Sequence, residues 1–294
     1  MNHPQKKVSY LFFIFFFLSL QITSTLTSTP LEKKDIYILP ASDLKWQSID
    51  PLEWEPLDPS QNKDLPMRAP LWGDFSKKGP SGSIVYLPKG FKSKPHEHNA
   101  TYRAITISGS IHSAHPSVKD HWLQSGSFWI QPARGIHIAK TRENPCYIYV
   151  EIDKGPQLTF SPDIKNKPTT PSLALDFQHL TWLNQKHISW LPSRKKKKIK
   201  NLEIAFLWGK ITKNDSNGTL LKLPSFFSGK IINKTGDLHI IVIKGKVGSR
   251  KFKRQTLSDK SYFYVKKGTS LPIENLLAEE SWIYIRSKGK YKVH

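Results

Sequence analysis

Short runs in which apolar and polar positions alternate, set off by Gly and Pro, recur along the chain. Alternation with a period of two places one set of side chains on one face of a strand. Runs this short, and this rich in Val, Ile, Tyr, Phe and Trp, read as strands rather than helices. Residues 83–87, 102–108, 128–130 and 146–152 form one group; 240–243, 262–265 and 281–286 form a second. A constant displacement relates the two groups. Trp46 and Trp182, Trp54 and Trp190, Pro56 and Pro192, Trp72 and Trp208, Gly82 and Gly218, and Gly109 and Gly245 each lie 136 positions apart. Beyond Gly109 the register drifts, so that Leu123 faces Leu257 and 147–150 face 282–285, as loop insertions produce. A repeat of this size is too long for a solenoid unit and right for a domain. The pattern therefore predicts two related β-domains in tandem.

Composition changes this picture in three places. Aromatic content of 12%, with 21 Pro and 16 Gly, suits many short strands and turns. A single cysteine, Cys146, excludes an intrachain disulfide and a cysteine-based zinc site. The N-terminus has Lys6 and Lys7, an apolar stretch at 10–20 and a polar small-residue tract at 23–29. That is the layout of a secretory leader, and its apolar part is shorter than the roughly 20 residues of a membrane span. Residues 1–28 are accordingly expected to be a signal peptide and the mature chain to work in the periplasm or outside the cell. No A-x-A triplet marks the cleavage site, so an uncleaved membrane anchor is the alternative. Net charge is +22, but unevenly distributed: residues 31–172 carry 18 basic against 15 acidic groups, and residues 173–294 carry 25 against 8.

Candidate chemistry lies in the near-neutral half. His96 and His98 stand two apart ahead of an alternating segment, so their imidazoles project from one face. His137 leaves a Pro/Gly turn after the aromatic run that follows Gly126. Gly90, His96, His98 and Gly109, with Gly126, Pro132 and His137, resemble the paired motifs of the cupin superfamily. The tandem organisation resembles two-domain, ChrR-like cupin proteins of unknown function. This likeness implies an all-β fold of two tandem cupin-type jelly-roll barrels: domain 1 at 37–158, a linker at 159–172 and domain 2 at 173–290. It further implies one divalent metal ion, zinc, iron or manganese among the choices, held by His96, His98 and His137. The family's glutamate position falls on Tyr102, which shares parity with His96 and His98 and is expected to face the site as a weak ligand or hydrogen-bond donor. The asparagine closing the second motif becomes Thr141. Carried into the second repeat, His96 maps to Ile232, His98 to Lys234, Tyr102 to Leu238 and His137 to Leu271. A lysine buried where a cation should sit would repel it, so the second barrel should bind no metal.

Tyr102 and Arg134 are the candidate catalytic residues, and Arg134 and Arg103 the candidate anchors for an anionic group. Glu97, of opposite parity, is expected to face outward, and His112, His115 and His121 to lie in solvent. The basic run 194–200 aligns with a loop inside the first repeat and reads as a solvated loop. Asn99, Asn214, Asn217 and Asn233 begin Asn-x-Ser/Thr triplets. No P-loop, H-E-x-x-H helix or G-x-S-x-G elbow is present. Fold resemblance does not establish an activity, and three readings stay open. They are a metal-dependent oxygenase or hydrolase of a small molecule, a non-catalytic ligand-binding or sensor cupin, and a surface protein that binds anionic polysaccharide through its basic second domain. Nucleic acid is not an expected partner; the oligomeric state is not legible, and a homodimer stays open because exposed barrel faces commonly pair.

Overall fold

The computed structural model describes residues 35–49, 54–55, 64–165, 167–168, 170–184, 187–188, 202–212, 214–249, 252 and 255–294. The stretch 1–28, expected to be a signal peptide, and the basic run 194–200 lie outside them. Nearly everything described is antiparallel β-structure, in the jelly-roll arrangement of cupins. In the first barrel a seven-stranded sheet runs in the order Leu173–Leu175, Phe128–Gln131, Tyr102–Ser108, Cys146–Gly155, Gly79–Leu87, Met67–Trp72, Gln47–Ser48. A five-stranded sheet containing Ser110–Ala114 and Ile138–Thr141 accompanies it. The second barrel repeats the ladder: Ile36–Leu39, Tyr262–Val265, Leu238–Lys244, Ser281–Lys288, Ser216–Leu223, Glu203–Gly209, Leu183–Asn184.

The two repeats exchange their first strands. Ile36–Leu39, from the start of the first repeat, pairs with Tyr262–Val265 of the second barrel. Leu173–Leu175, from the start of the second repeat, pairs with Phe128–Gln131 of the first. Each large sheet therefore ends, on one side, in a short strand supplied by the other repeat, and short edge strands limit pairing with other chains.

Among the described residues three apolar cores form, and they correct the expected alternation in the central strands, which are buried on both faces. Strand Tyr102–Ser108 sends Ala104 into the first barrel and Ile105 and Ile107 into a seam against the second. Strand Leu238–Lys244 divides in the same way, with Ile240 and Val242 inside the second barrel and Ile241 and Ile243 in the seam. A strand buried on both faces has no reason to alternate in polarity.

The seam also holds a polar core built from repeat-related residues. Trp72 Nε1 donates to the Tyr149 hydroxyl at 3.2 Å, and Trp208 Nε1 donates to the Tyr284 hydroxyl at 2.9 Å. Both tyrosines then donate to the two oxygens of Glu151, at 2.9 and 2.8 Å. Arg286 answers this carboxylate at 3.2 Å and bonds Asp153 at 2.7 Å. The repeated glycines follow from this packing: a Cβ on Gly82 would overlap Trp72 Nε1, and one on Gly218 would overlap Trp208 Nε1. Three of the Asn-x-Ser/Thr amides likewise serve the fold, Asn99, Asn217 and Asn233 all being bonded to backbone carbonyls.

Candidate metal centre

A short antiparallel bridge assembles the site. His96 and His137 exchange backbone hydrogen bonds, at 3.0 Å from His96 N and 2.9 Å from His137 N. The turn before His137 is held by Gly135 N donating to Pro132 O at 3.1 Å and by Arg134 N donating to His98 O at 2.8 Å. Arg134 sits there in the left-handed region, at φ 62°. These contacts bring one potential ligand atom from each of His96, His98 and His137 within 4.8 Å of one another. The three predicted ligands are thus brought together.

Their hydrogen bonds fix which nitrogens can bind a cation. Nδ1 of His96 faces Lys94 O at 2.8 Å, Nδ1 of His98 faces Leu158 O at 3.2 Å, and Nδ1 of His137 faces Gly135 O at 3.1 Å. A carbonyl oxygen only accepts, so each Nδ1 carries the proton and each Nε2 keeps its lone pair. Burial pushes all three imidazoles below their ordinary pKa, that of His98 to about 3, and their mutual proximity adds to the effect at His98 and His137. Neutral rings, with Nδ1–H oriented by carbonyls and Nε2 left as a donor, are the state in which histidine binds a divalent ion. The donor set therefore fits a metal: these three residues can hold one ion of the kind that accepts imidazole, and the ligand type alone does not choose among zinc, iron and manganese.

Tyr102 reaches the site as its parity predicts. Its hydroxyl lies 3.2 Å from His137 Nε2 and its ring 5.6 Å from that of His98. Burial raises the phenol pKa, which keeps the proton on oxygen. Thr141, in place of the motif's asparagine, donates to Pro88 O at 2.6 Å, as Asn275 in the second barrel donates to Pro224 O at 2.8 Å. The substitution keeps the turn and loses nothing at the site.

Other expectations are corrected. Glu97 is buried, at 1% exposure, because Thr159–Phe160 pairs with Glu97–His98 and covers it. Its carboxylate is not among the gathered ligand atoms; it accepts from Arg134 Nη1 at 2.8 Å. Arg134, whose guanidinium also lies 4.8 Å from the Phe160 ring, is therefore committed to an ion pair beside the site. Arg103 is not at the site: it bonds Asp153 at 2.7 Å and lies 3.8 Å over Trp208 in the seam. His112 is fully buried rather than solvated, its Nδ1 accepting from His121 N at 3.1 Å; His115 and His121 are exposed as expected.

The stretch 156–160 supplies residues that the motifs did not reveal. Leu158 O and the Thr159 hydroxyl, at 3.2 and 3.1 Å, both face His98 Nδ1, and Asn99 clasps the stretch through Pro156 O and Leu158 N. The second barrel shows the same positions without chemistry. Strand register pairs Ile231 with Leu271 as His96 pairs with His137, so Ile231, not Ile232, stands in the place of His96. Lys234 is exposed, and the buried Asn233 occupies the place corresponding to His98. The loss of every ligand stands; the repulsion of an ion by a buried lysine does not.

A family model described only as a domain of unknown function matches residues 46–294. No curated protein matches the chain in sequence. Among solved structures, a Nostoc punctiforme protein with a provisional dioxygenase assignment is 16% identical, with a TM-score of 0.61 over 85% of this chain and 81% of its own. A Pseudomonas aeruginosa protein provisionally described as glyoxylate-induced is 10% identical, with a TM-score of 0.58 over 90% and 92%. Oxalate decarboxylase of Lactobacillus farciminis, in complex with formate, is 10% identical, with a TM-score of 0.52 over 87% of each chain. At these identities the likeness is one of fold.

Proposed function

The chain belongs to the DUF4437 family, and from the three imidazoles gathered in its first barrel we propose that it is a secreted, divalent-metal-dependent oxygenase of a small molecule. The observation that carries this reading is the convergence of three neutral Nε2 donors, each oriented by a carbonyl oxygen on Nδ1. An ion held by three neutral ligands keeps its double charge and open positions, so it would polarise a bound small molecule or, as iron, engage dioxygen. Hydrolysis is less well supported. It needs a base for the attacking water, and among the described residues no carboxylate joins the imidazole cluster, while Glu97 is tied to Arg134. Tyr102 holds its proton beside His137 and presents a hydroxyl placed to donate into the site.

Tyr102 in the family's glutamate position also favours a second reading. Three neutral protein ligands with an open position on the ion also suit a non-catalytic sensor, which would bind a ligand without turnover.

Elemental analysis of the protein purified from its own compartment, beside His96→Ala and His137→Ala, tests the metal. About one ion per chain is expected in the wild type, and under a tenth of that in either variant. Equal metal content in all three samples would remove the assignment. Dioxygen uptake by the iron-loaded protein, set against ligand-induced stabilisation without product, separates the oxygenase from the sensor.

A further inference from the structure

We propose that the end of the second barrel corresponding to the metal site of the first is a lysine rim that binds an acidic polysaccharide, one carrying a carboxylate on each sugar. The proposal does not rest on the metal reading; it assigns a role to the barrel that has no ligands.

The two ends correspond by register. Gly268 N donates to Asn233 O at 2.7 Å, as Arg134 N donates to His98 O at 2.8 Å, so the turn 266–271 matches the turn 132–137. Lys266 and Lys267 therefore stand in the places of Pro132 and Ala133, and Lys234 in that of Asn99. Lys292 pairs with Ile232 as Phe160 pairs with Glu97. Arg286 opposes Gly218 as Glu151 opposes Gly82, which sets Lys288 in the place of Asp153. Where the first barrel has one acid and no base, the second has five lysines, all exposed. Asn233 Nδ2 and Thr235 Oγ1 fasten two of these segments together, both donating to Lys288 O, at 3.0 and 2.6 Å.

Carboxylates of the chain neutralise little of this charge. Asp35 lies 3.9 Å from Lys266, Asp237 accepts from the Tyr264 hydroxyl at 3.0 Å and from Lys267 N at 2.7 Å, and Asp215 accepts from the Thr212 hydroxyl. Among the described residues Lys234, Lys267, Lys288 and Lys292 make no ion pair. Gathered like charges repel one another, and the same frame in the first barrel stands without them, so the fold does not ask for them. Beneath the rim Ile231, Leu238, Val265 and Leu271 are fully buried in the aliphatic core. An anion can therefore only lie across the rim, which suits a polymer. The cations are all lysines, point charges without the arginine fork that favours nucleic acid. Of the exposed apolar side chains of this barrel, Phe206 lies within strand Glu203–Gly209. Phe226 and Leu276 lie on turns at the far ends of strands Ser228–Asn233 and Ser270–Asn275, so none of these stands at the rim to enter a bilayer.

The test measures binding of the full chain to polygalacturonate, with dextran as the uncharged control. It compares a rim triple variant, Lys234→Gln with Lys288→Gln and Lys292→Gln, with a triple of equal charge loss on the first barrel, Lys45→Gln with Lys89→Gln and Lys119→Gln. Wild type should bind polygalacturonate and not dextran, and lose about tenfold in affinity or more between ~50 and ~200 mM salt. The rim triple should weaken polygalacturonate about tenfold to a hundredfold and flatten the salt dependence, and the first-barrel triple should weaken it less than about threefold. All the substituted side chains are exposed, so both variants should fold; if the rim triple does not, Lys234→Gln with Lys292→Gln carries the same comparison. Equal losses in the two triples, or no loss in the rim triple, would show that overall charge or another surface acts and overturn the rim. Tighter binding to duplex DNA or to phosphatidylserine vesicles, at equal charge concentration, overturns the polysaccharide. Absence of binding by wild type at the lower salt overturns both, and every one of these outcomes leaves the metal site standing.

Discussion

Acidification should loosen the seam between the barrels through one histidine. His239 is stacked on Trp72, with ring centroids 4.0 Å apart and planes at 25°, and its Nδ1 accepts from the Tyr262 hydroxyl at 2.7 Å. Burial first, and the nearby Arg286 second, lower its pKa to about 3. The folded protein therefore resists a proton that the unfolded chain takes up near pH 6.5. The contribution is intact above that pH and is lost progressively as pH falls from about 6.5 toward 3. With RT near 0.6 kcal/mol, a ring that stays neutral while its unfolded counterpart titrates costs about 2 kcal/mol of stability at pH 5. That is a substantial share of the ~5–15 kcal/mol that holds a typical domain folded. The assay is urea unfolding of wild type and His239→Gln at pH 7.5 and pH 5, both zinc-loaded so that the ligand histidines contribute equally. Wild type should lose about 2 kcal/mol more than the variant on acidification. Parallel losses, within about 0.5 kcal/mol, would refute the claim that His239 is held neutral by its surroundings.

Two further perturbations test the polar seam and the site. Arg286→Met leaves Glu151, at 1% exposure, without its cation, and is expected to cost about 3–5 kcal/mol in denaturant unfolding. Adding Glu151→Gln should recover more than half of this loss; a double mutant as unstable as the two losses added together would show that the pair is not coupled. Tyr102→Phe removes the hydroxyl facing His137 Nε2, which should cost about 1–3 kcal/mol in metal-free protein. With an ion on that nitrogen the loss should fall by at least half, and thermal unfolding that shows the same loss in both forms would place the ion elsewhere.

How much the sequence reveals depends on the range of the forces involved. The three histidines are legible because a His-x-His pair and a Pro/Gly turn are local, and local geometry aims their side chains. The tandem barrels are legible because Trp72 and Trp208 must each meet a glycine, Gly82 and Gly218, and such packing preserves bulky and small residues at a fixed offset. Glu97 misleads because parity gives a direction and not a cover; its cover, Thr159–Phe160, comes from some sixty positions downstream. Ile231 hides behind Ile232 because a one-residue shift in a loop leaves composition unchanged and appears only in strand pairing. The exchange of Ile36–Leu39 and Leu173–Leu175 is equally invisible, since short apolar strands carry no label for the barrel they join.

Comparison of the two barrels shows where function has displaced packing. The second barrel fills its interior with Ile204, Ile231, Leu238, Val265 and Leu271, all essentially inaccessible. Strand register sets Arg68, His96, Tyr102, Gln131 and His137 in the corresponding places of the first. Burying one aliphatic side chain contributes roughly 1.5–3 kcal/mol, so exchanging five of them surrenders an amount on the order of a whole domain's stability. Hydrogen bonds such as Gln131 Nε2 to Gly135 O, at 2.8 Å, satisfy the new polar groups but add little net stability. The first barrel must then draw support from outside its own core. The seam, with its shared apolar cluster and the Glu151–Arg286 pair, and the edge strand Leu173–Leu175 lent by the second repeat supply it. On this argument the second barrel needs no ligand of its own to be indispensable: its aliphatic interior is what allows its partner's interior to be polar.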